Sequence, residues 1–294
     1  MQLKIPGVRP LSIKSPIRYF GGKAQAVPML IPFIPAYTNE VVSPFVGGAS
    51  LELAMTGRGI RVYAYDAYLP VVNFWQCLQR YPNQLDDMIC ETIARFGEDR
   101  AALKAFAIER DGLDAVDAAH RFIICTNFTF NANLRSMAFA PYYIENGIPK
   151  RVRYTRNGVG DAMILNVRIR GFHNPRISFS QADFRESLAN HPNVFAYLDP
   201  PYPASSAAYG DSPAYHEDFP HDILAEVLHD RKAGWVLSYK NCPIVRDLYP
   251  QTQFQYDYPK WTQGSKKLSN AVDCDEVIIR PKGQLPIRTI ANTH

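Results

Sequence analysis

Residues 194–202 read Val-Phe-Ala-Tyr-Leu-Asp-Pro-Pro-Tyr, an apolar run that ends at an acidic residue and two prolines. A short, continuously apolar run is typical of a strand that is buried on both faces of a parallel sheet. In an open α/β sheet, ligands bind just beyond the carboxyl ends of such strands. The stretch therefore predicts an α/β fold with Asp199 and Tyr202 at a ligand-binding edge. The alternative is an acidic turn that merely ends the strand.

The residues after this strand suit an exocyclic amine. Pro200 and Pro201 remove two backbone donors and hold the chain extended, so the Pro200 carbonyl can face a ligand. That carbonyl and the Asp199 carboxylate offer two acceptors to the two N–H groups of an amine. The phenol ring of Tyr202 can stack on the base that carries it.

A second strand-turn-helix pattern lies near the start of the chain. An apolar run at residues 41–42 leads through Ser-Pro-Phe-Val-Gly-Gly at 43–48 into a predicted helix, and the next strand, at 60–65, ends at Asp66. Glycines in such a turn let the backbone approach a cofactor, and an acid about 20 residues further on commonly holds a ribose hydroxyl. Asp66 lies 19 positions after Gly47, so a nucleoside cofactor is indicated.

The rest of the chain divides by its periodicity. Residues 69–127 have apolar residues at helical spacing, and strand-like runs return from residue 177 onward. We predict a catalytic domain formed by residues 1–68 and 177–294, with an inserted, mainly helical and basic region at 69–176. The predicted later elements are strands at 177–179, 194–198, 235–237 and 277–279, and a helix at 220–230.

The charge and composition narrow the class of protein. The 294 residues are 47% hydrophobic and 20% charged, which excludes disordered and coiled-coil classes. The most apolar stretch, 27–36, is short and contains three prolines, so we expect a cytoplasmic protein without a membrane span. His216 and His221 lie five positions apart around Pro220, a spacing that does not favour a metal site. We therefore expect no metal.

A basic segment at residues 141–176 has seven basic and two acidic residues, although the net charge of the whole chain is only +4. Because aromatic residues lie between the basic ones, the segment fits a surface that tracks phosphates, or alternatively a solvated loop. Its candidate phosphate-binding residues are Lys150, Arg151, Arg153 and Arg156.

Two shorter features are ambiguous. Residues 18–23 form a paired-glycine turn flanked by aromatic and basic residues, which is either a site element or an ordinary turn with an exposed lysine. Asp183 and Phe184 could bracket an adenine, or Asp183 could cap the helix that follows.

In this order, residues 18–23 and 44–50, Asp66, Asp183-Phe184 and 199–202 resemble the Dam-like family, the D12 class of DNA adenine-N6 methyltransferases. The resemblance implies a Rossmann-like α/β sheet that binds S-adenosylmethionine, an inserted helical DNA-recognition lobe, and methylation of an adenine flipped out of double-stranded DNA. The catalytic residues it implies are Asp199, Pro200, Pro201 and Tyr202. The cofactor-binding residues it implies are Tyr19, Lys23, Pro44, Phe45, Gly47, Asp66, Asp183, Phe184 and Asp199.

The chain departs from the family pattern at several positions. Ser43 replaces the usual acid, and Ala49 replaces a usual glycine. In the lobe, the element that includes Asn131, Asn133 and Arg135, which we assign to DNA binding, differs at its centre from that of members that read GATC. The resemblance therefore does not carry over a target sequence.

Other functions remain open at this stage. N4-cytosine methylation of DNA would use the same amine-binding loop as adenine-N6 methylation. Adenine-N6 methylation of RNA would act on the same base in a different nucleic acid. A protein-amide substrate is disfavoured by the acid at position 199, and a catalytically idle DNA-binding module by the intact loop. We expect a monomer or weak dimer, prokaryotic or phage-encoded, with no obligatory protein partner; a role within or outside restriction-modification stays open.

Overall fold

The structure is a computed structural model whose frame is a seven-stranded mixed sheet, in agreement with the predicted α/β class. It describes residues 14–17, 19, 22–96, 99–109, 111–128, 142–145, 148–151, 168–203, 219–259 and 276–284. The strands are β1 (Glu40–Ser43), β2 (Arg61–Asp66), β3 (Tyr142–Glu145), β4 (Ile148–Arg151), β5 (Ile177–Gln181), β6 (Phe195–Leu198), β7 (Trp235–Lys240), β8 (Phe254–Asp257) and β9 (Glu276–Pro281).

The strand order explains why two motifs far apart in the chain come together. The order is β5-β2-β1-β6-β7-β9-β8. The first five strands in this order are parallel to one another, and β9 is antiparallel to both of its neighbours. β2 and β5 are added on one side of β1, and β6, which comes later in the chain, pairs with the other side of β1. Ligands bind at such a switch point, beyond the carboxyl ends of the strands. The turn after β1 and the loop after β6 are therefore neighbours at this edge.

Both faces of the sheet are covered. Alternate residues of one strand enter different apolar clusters: Val41 and Tyr197 face one cluster, and Val42 and Leu198 the other. β6 is buried along its whole length, and burial on both sides explains why it has no charged residue.

Helices form the two covering layers. The first layer is built by α1 to α6 and the second by α7 to α9. The helices are α1 (Val27–Leu30, continued by a 3₁₀ turn, Ile31–Phe33), α2 (Ser50–Thr56), α3 (Leu69–Arg80), α4 (Pro82–Phe96), α5 (Arg100–Ile108), α6 (Ala115–Phe128), α7 (Phe184–Asn190), α8 (His221–Asp230) and α9 (Pro243–Leu248).

Helix α3 is amphipathic and packs directly on the sheet. The indole of Trp75 stacks on the ring of Phe179 in β5, with centroids 4.9 Å apart and planes 5° from parallel. The amides of Gln76 and Gln79 donate to the carbonyls of Phe179 and Ile177, at 2.9 and 2.7 Å. Because β5 is an edge strand, these bonds satisfy carbonyl groups that would otherwise remain available to another strand.

The predicted strands and the predicted helices after residue 49, after residue 69 and near residue 220 are confirmed. Periodicity did not reveal β8 or the β3–β4 hairpin, in which Tyr142 pairs with Arg151. The described helices of region 69–176 share an apolar cluster with β1 and β2, and a separate recognition domain there stays a prediction. In the described part of the chain, no helix has the length and apolar character needed to cross a membrane.

Candidate active site at the sheet switch point

The Asp-Pro-Pro-Tyr segment leaves the sheet where β6 ends. The strand delivers Asp199 into a largely enclosed position, with 17% of its side chain exposed. Burial raises the pKa of Asp199, and the neighbouring ammonium of Lys23 opposes that rise. The segment thus presents a carboxylate and proline carbonyls at the edge predicted to bind a ligand.

Lys23 lies at the centre of the site. Its Nζ is 3.1 Å from Asp199 Oδ1, 3.2 Å from Glu276 Oε1 and 2.6 Å from Tyr202 Oη. An ammonium has three N–H donors, and each of these oxygens can accept one. Burial alone would lower the pKa of Lys23, but the charges of Asp199 and Glu276 outweigh it and raise that pKa. The ammonium therefore stays charged although it is almost fully enclosed.

Tyr202 is attached to the same group. Its hydroxyl donates to Asp199 Oδ1 at 3.2 Å and lies 3.4 Å from Ser238 Oγ. Lys23 Nζ is 4.8 Å from the centroid of the Tyr202 ring, within the range of a cation–π contact. The structure thus joins three predicted residues, Lys23, Asp199 and Tyr202, through their side chains.

Sequence reasoning missed Glu276 and Ser238 as members of this site. Ser238 lies in β7 and Glu276 opens β9, and both are buried. The available signal was an acid directly before the apolar run 277–279. A buried carboxylate in a strand needs a partner, but the sequence does not say that the partner is Lys23.

The glycine turn after β1 is tightly enclosed. Gly47 has φ +41°, a left-handed conformation that glycine adopts easily. A Cβ at Gly47 would lie 2.9 Å from a ring carbon of Tyr19, so a side chain there would collide with the ring. The indole N–H of Trp75 donates to the Gly47 carbonyl at 2.9 Å. Tyr19 and Trp75 thus fix the turn predicted to face the cofactor.

Asp66 ties this turn to the end of β2. Its Oδ2 accepts the Gly47 N–H at 3.0 Å and its Oδ1 the Tyr68 N–H at 2.9 Å. Burial raises the pKa of Asp66 to about 6, although both backbone bonds lower it. A carboxylate has about four acceptor positions, so Asp66 can still accept from hydroxyl groups of a ligand.

The two departures from the family pattern lie in the same turn. The Ser43 hydroxyl donates to Glu52 Oε1 of α2 at 2.7 Å, so the buried carboxyl group of Glu52 lies beside the position where an acid is usual. Ala49 is left-handed, with φ 52° and ψ 27°, a conformation that favours glycine. The turn therefore has a buried carboxyl group beside position 43 and a left-handed residue at position 49.

An aromatic group lies beside the turn. The rings of Phe45, Phe184 and Phe219 are 5.5 to 6.0 Å apart from centroid to centroid. Phe45 and Phe184 were predicted cofactor residues, and Pro44 precedes them as a buried residue. Phe219 was not predicted.

Asp183 has the geometry of a helix cap. Its Oδ1 accepts the Arg185 backbone N–H at 2.8 Å and Nε–H at 2.7 Å, and its Oδ2 accepts from Arg185 Nη2 at 3.0 Å. Capping was one of the two interpretations of this residue. Its contact with the cofactor stays a prediction.

Several predicted residues cannot be located. Asn131, Asn133, Arg135, Arg153 and Arg156 lie outside the described residues, and Lys150 and Arg151 belong to β4. Among the histidines weighed as metal ligands, His221 Nδ1 contacts the Tyr239 hydroxyl and His229 Nε2 the Leu248 carbonyl. Within the described ranges no three His, Cys, Asp or Glu residues form a group that could hold a metal.

Together, the fold and the site define a class of protein. A parallel sheet with a glycine turn and an acid at its switch point is typical of α/β enzymes that bind a nucleoside cofactor. The neighbouring loop after β6 adds the Asp199 carboxylate to the same edge.

Comparison with known proteins gives the family. The model of the D12 class N6 adenine-specific DNA methyltransferases matches residues 19–263. The chain belongs to this family, so it is an enzyme that methylates adenine N6 in DNA, and membership implies S-adenosylmethionine as the methyl donor.

Two relatives are named as a type II methyltransferase and a modification methylase. The chain is 22% identical over 277 residues to type II methyltransferase M1.LlaDCHI of Lactococcus lactis subsp. cremoris, an alignment that covers 90% of this chain and 94% of the relative. It is 24% identical over 205 residues to modification methylase StsI of Streptococcus sanguinis, with 68% of this chain and 30% of that protein covered.

We expect Glu52→Gln to stabilise the protein more at pH 8 than at pH 5. Burial raises the pKa of Glu52 from 4.5 to about 7. The folded state therefore holds a proton that the unfolded chain loses, and the resulting stability, complete below the unfolded pKa, is lost as the pH rises through the folded value. At about 1.4 kcal/mol per pKa unit, the variant gains about 3 kcal/mol at pH 8 and about 1 kcal/mol at pH 5.

Urea unfolding at both pH values measures this difference. Glutamine can still accept from Ser43, so the hydrogen bond is conserved while the charge is removed. Glu40→Gln, in an exposed position at the start of β1, is the matched control. An equal gain at both pH values would contradict an ionisation effect.

Proposed function

We propose that the chain methylates N6 of an adenine flipped out of double-stranded DNA, with the 199–202 loop as the amine-binding site and the 43–48 turn as the cofactor site. The observation that carries this proposal is the position of Asp199, buried beyond β6 and adjacent to the turn that follows β1. A paired adenine has its N6 inside the duplex, so the base must leave the stack to reach an enclosed carboxylate.

The acceptor side has the groups that an amine requires. The N6 lone pair is delocalised into the adenine ring, and hydrogen bonds from the two N–H groups to Asp199 and the Pro200 carbonyl favour a pyramidal, nucleophilic nitrogen. The contacts of Asp199 with Lys23 and Tyr202 both involve Oδ1, so Oδ2 can accept from the substrate. The carboxylate stabilises positive charge as it develops on the nitrogen, and Tyr202 stacks on the base.

The residues present fit S-adenosylmethionine. When bound, this cofactor supplies a methyl group as an electrophile on a sulfonium. Asp66 accepts from ribose hydroxyls, Phe45 and Phe184 offer apolar surface to adenine, and Tyr19 and Lys23 line the methionine end. The Tyr19 ring lies against Gly47, where it leaves no room for a side chain, so the turn is held beside Tyr19 in one conformation. Correct alignment of the two reactants supplies much of the acceleration.

Region 69–176 is assigned to DNA. Its basic residues 150–156 bind phosphates, and Asn131, Asn133 and Arg135 contribute to recognition of the target. The names of the relatives favour a restriction-modification context. We further propose a monomer or weak dimer that acts in the cytoplasm of a prokaryotic or phage-infected cell.

We expect Asp199→Ala to lower methyl transfer by about 100-fold or more, because it removes the group that stabilises the developing charge. Binding of S-adenosylmethionine should remain measurable by calorimetry. The assay uses labelled S-adenosylmethionine and unmethylated duplex DNA, followed by digestion to nucleosides. Asp230→Ala, an exposed residue at the last position of α8, is the matched control.

The nucleoside that carries the label tests the substrate at the same time. N6-methyladenine is expected. Labelled N4-methylcytosine would overturn adenine as the methylated base. Unlabelled DNA with intact cofactor binding would indicate RNA as the substrate. Wild-type turnover in Asp199→Ala would overturn the 199–202 loop as the amine-binding site.

We expect Asp66→Asn to weaken S-adenosylmethionine binding by about 10- to 100-fold, the value of one hydrogen bond to a charged group. Asparagine has nearly the same size and can still accept one of the two backbone bonds of the turn. Calorimetric titration measures the affinity. Asp230→Asn is the control, and an unchanged affinity in Asp66→Asn would move the ribose site elsewhere.

We expect replacement of Arg151, Arg153 and Arg156 by alanine to flatten the salt dependence of DNA binding. Each lost phosphate contact reduces the slope of log K against log salt by about 0.9. Titration of duplex DNA at several salt concentrations gives the slope. Arg61→Ala, at the exposed start of β2, controls for the loss of a basic residue. An unchanged slope in the triple variant would make the segment a solvated loop.

A further inference from the structure

The last strand brings a further carboxylate, that of Glu276, into the candidate active site. Glu276 is only 4% exposed and its Oε1 lies 3.2 Å from Lys23 Nζ. It also lies beyond the residues 19–263 that the family model matches. Taking a carboxylate out of water is costly unless it is paired, so its position needs a physical reason.

The charges around Lys23 suggest that reason. Asp199 and Lys23 alone would form a neutral ion pair, in which the ammonium draws on the acceptor capacity that the substrate amine requires. Glu276 lies at nearly the same distance from that ammonium as Asp199 does, 3.2 against 3.1 Å. With both carboxylates ionised, the three groups carry one net negative charge.

The same contacts also fix direction. Tyr202 accepts one of the three Lys23 donors, and Asp199 and Glu276 accept the others. Without Glu276, the Lys23 N–H group that now bonds to it would have to bond to Asp199 or to an oxygen other than those of Asp199, Tyr202 and Glu276. The orientation of Asp199 therefore depends on Glu276 through Lys23, whereas Tyr202 is hydrogen-bonded both to Lys23 and to Glu276 itself.

We propose that Glu276 is a positioning residue for methyl transfer, which shares the Lys23 ammonium so that Asp199 remains an effective acceptor and the site keeps a net negative charge towards a cationic ligand. The inference rests on the proposed function, in which that ligand is the sulfonium of S-adenosylmethionine. S-adenosylhomocysteine has almost the same shape but lacks this charge. The two ligands together therefore separate electrostatics from fit.

The first test is calorimetric binding of both ligands to wild type and Glu276→Gln. Glutamine preserves the size and one acceptor but removes the charge. We expect binding of S-adenosylmethionine to weaken about tenfold and that of S-adenosylhomocysteine to change little, because a charge interacts with a nearby charge far more than with a neutral group. Glu40→Gln is the control for a glutamate on the exposed start of a strand.

The second test restores the net charge. Lys23→Gln with Glu276→Gln leaves Asp199 as the one ionised member of the three, so the net charge equals that of the wild type. We expect the preference for the cationic ligand to return in this double variant. Its turnover should stay low, because Asp199 and Tyr202 lose the ammonium that orients them, and Glu276→Asp should recover part of the turnover lost in Glu276→Gln.

The outcomes are distinct. An equal loss of affinity for both ligands in Glu276→Gln would reduce Glu276 to a structural role, and wild-type binding and turnover would remove any role. A double variant that prefers S-adenosylmethionine over S-adenosylhomocysteine less than the wild type does would overturn the charge argument. This comparison with the wild type holds even if the single variant does not fold. Wild-type protein that binds neither ligand would overturn the proposed cofactor site, and this inference with it.

Discussion

The buried ammonium of Lys23 is the interaction on which the active site depends. It joins Tyr202 and Glu276, which lie 179 and 253 residues further along the chain. A desolvated ammonium is tolerated only when acceptors surround it, so all of its partners must be in place together. Asp199 and Tyr202 follow β6, and Glu276 opens β9. Both strands pair with β7. The chemistry at the edge of the sheet is therefore inseparable from the pairing of its strands.

The cofactor turn depends on a different kind of support. Asp66 holds the Gly47 N–H and Trp75 the Gly47 carbonyl, so both polar groups of one residue are fixed by separate elements. Trp75 in turn stacks on Phe179, which ties the turn to the far edge of the sheet. A glycine turn alone is flexible, and here packing against α3 and β2 gives it one conformation. This explains how a short turn without the usual dinucleotide glycine pattern can form a defined binding edge.

The sequence could predict what depends on neighbouring residues. The apolar run before Asp199, the turn before α2 and the position of Asp66 are local signals, and they placed both halves of the site at one edge through the general topology of α/β sheets. The contact between Lys23 and Glu276 depends on where β9 inserts, which no local pattern encodes. Strand β8 is only four residues long, too short for alternation to distinguish it from a loop.

The departures from the family pattern indicate what the site must conserve. An acid before Pro44 is replaced by Ser43, yet Glu52 returns a carboxylate to the Ser43 hydroxyl from the following helix. A glycine is replaced by Ala49, which still adopts the left-handed conformation, at a cost of roughly 1–2 kcal/mol. Tyr19 and Trp75 hold the neighbouring Gly47 on both sides. In this chain, then, a carboxyl group and a left-handed residue both lie in the turn at the switch point, although positions 43 and 49 differ from the usual pattern.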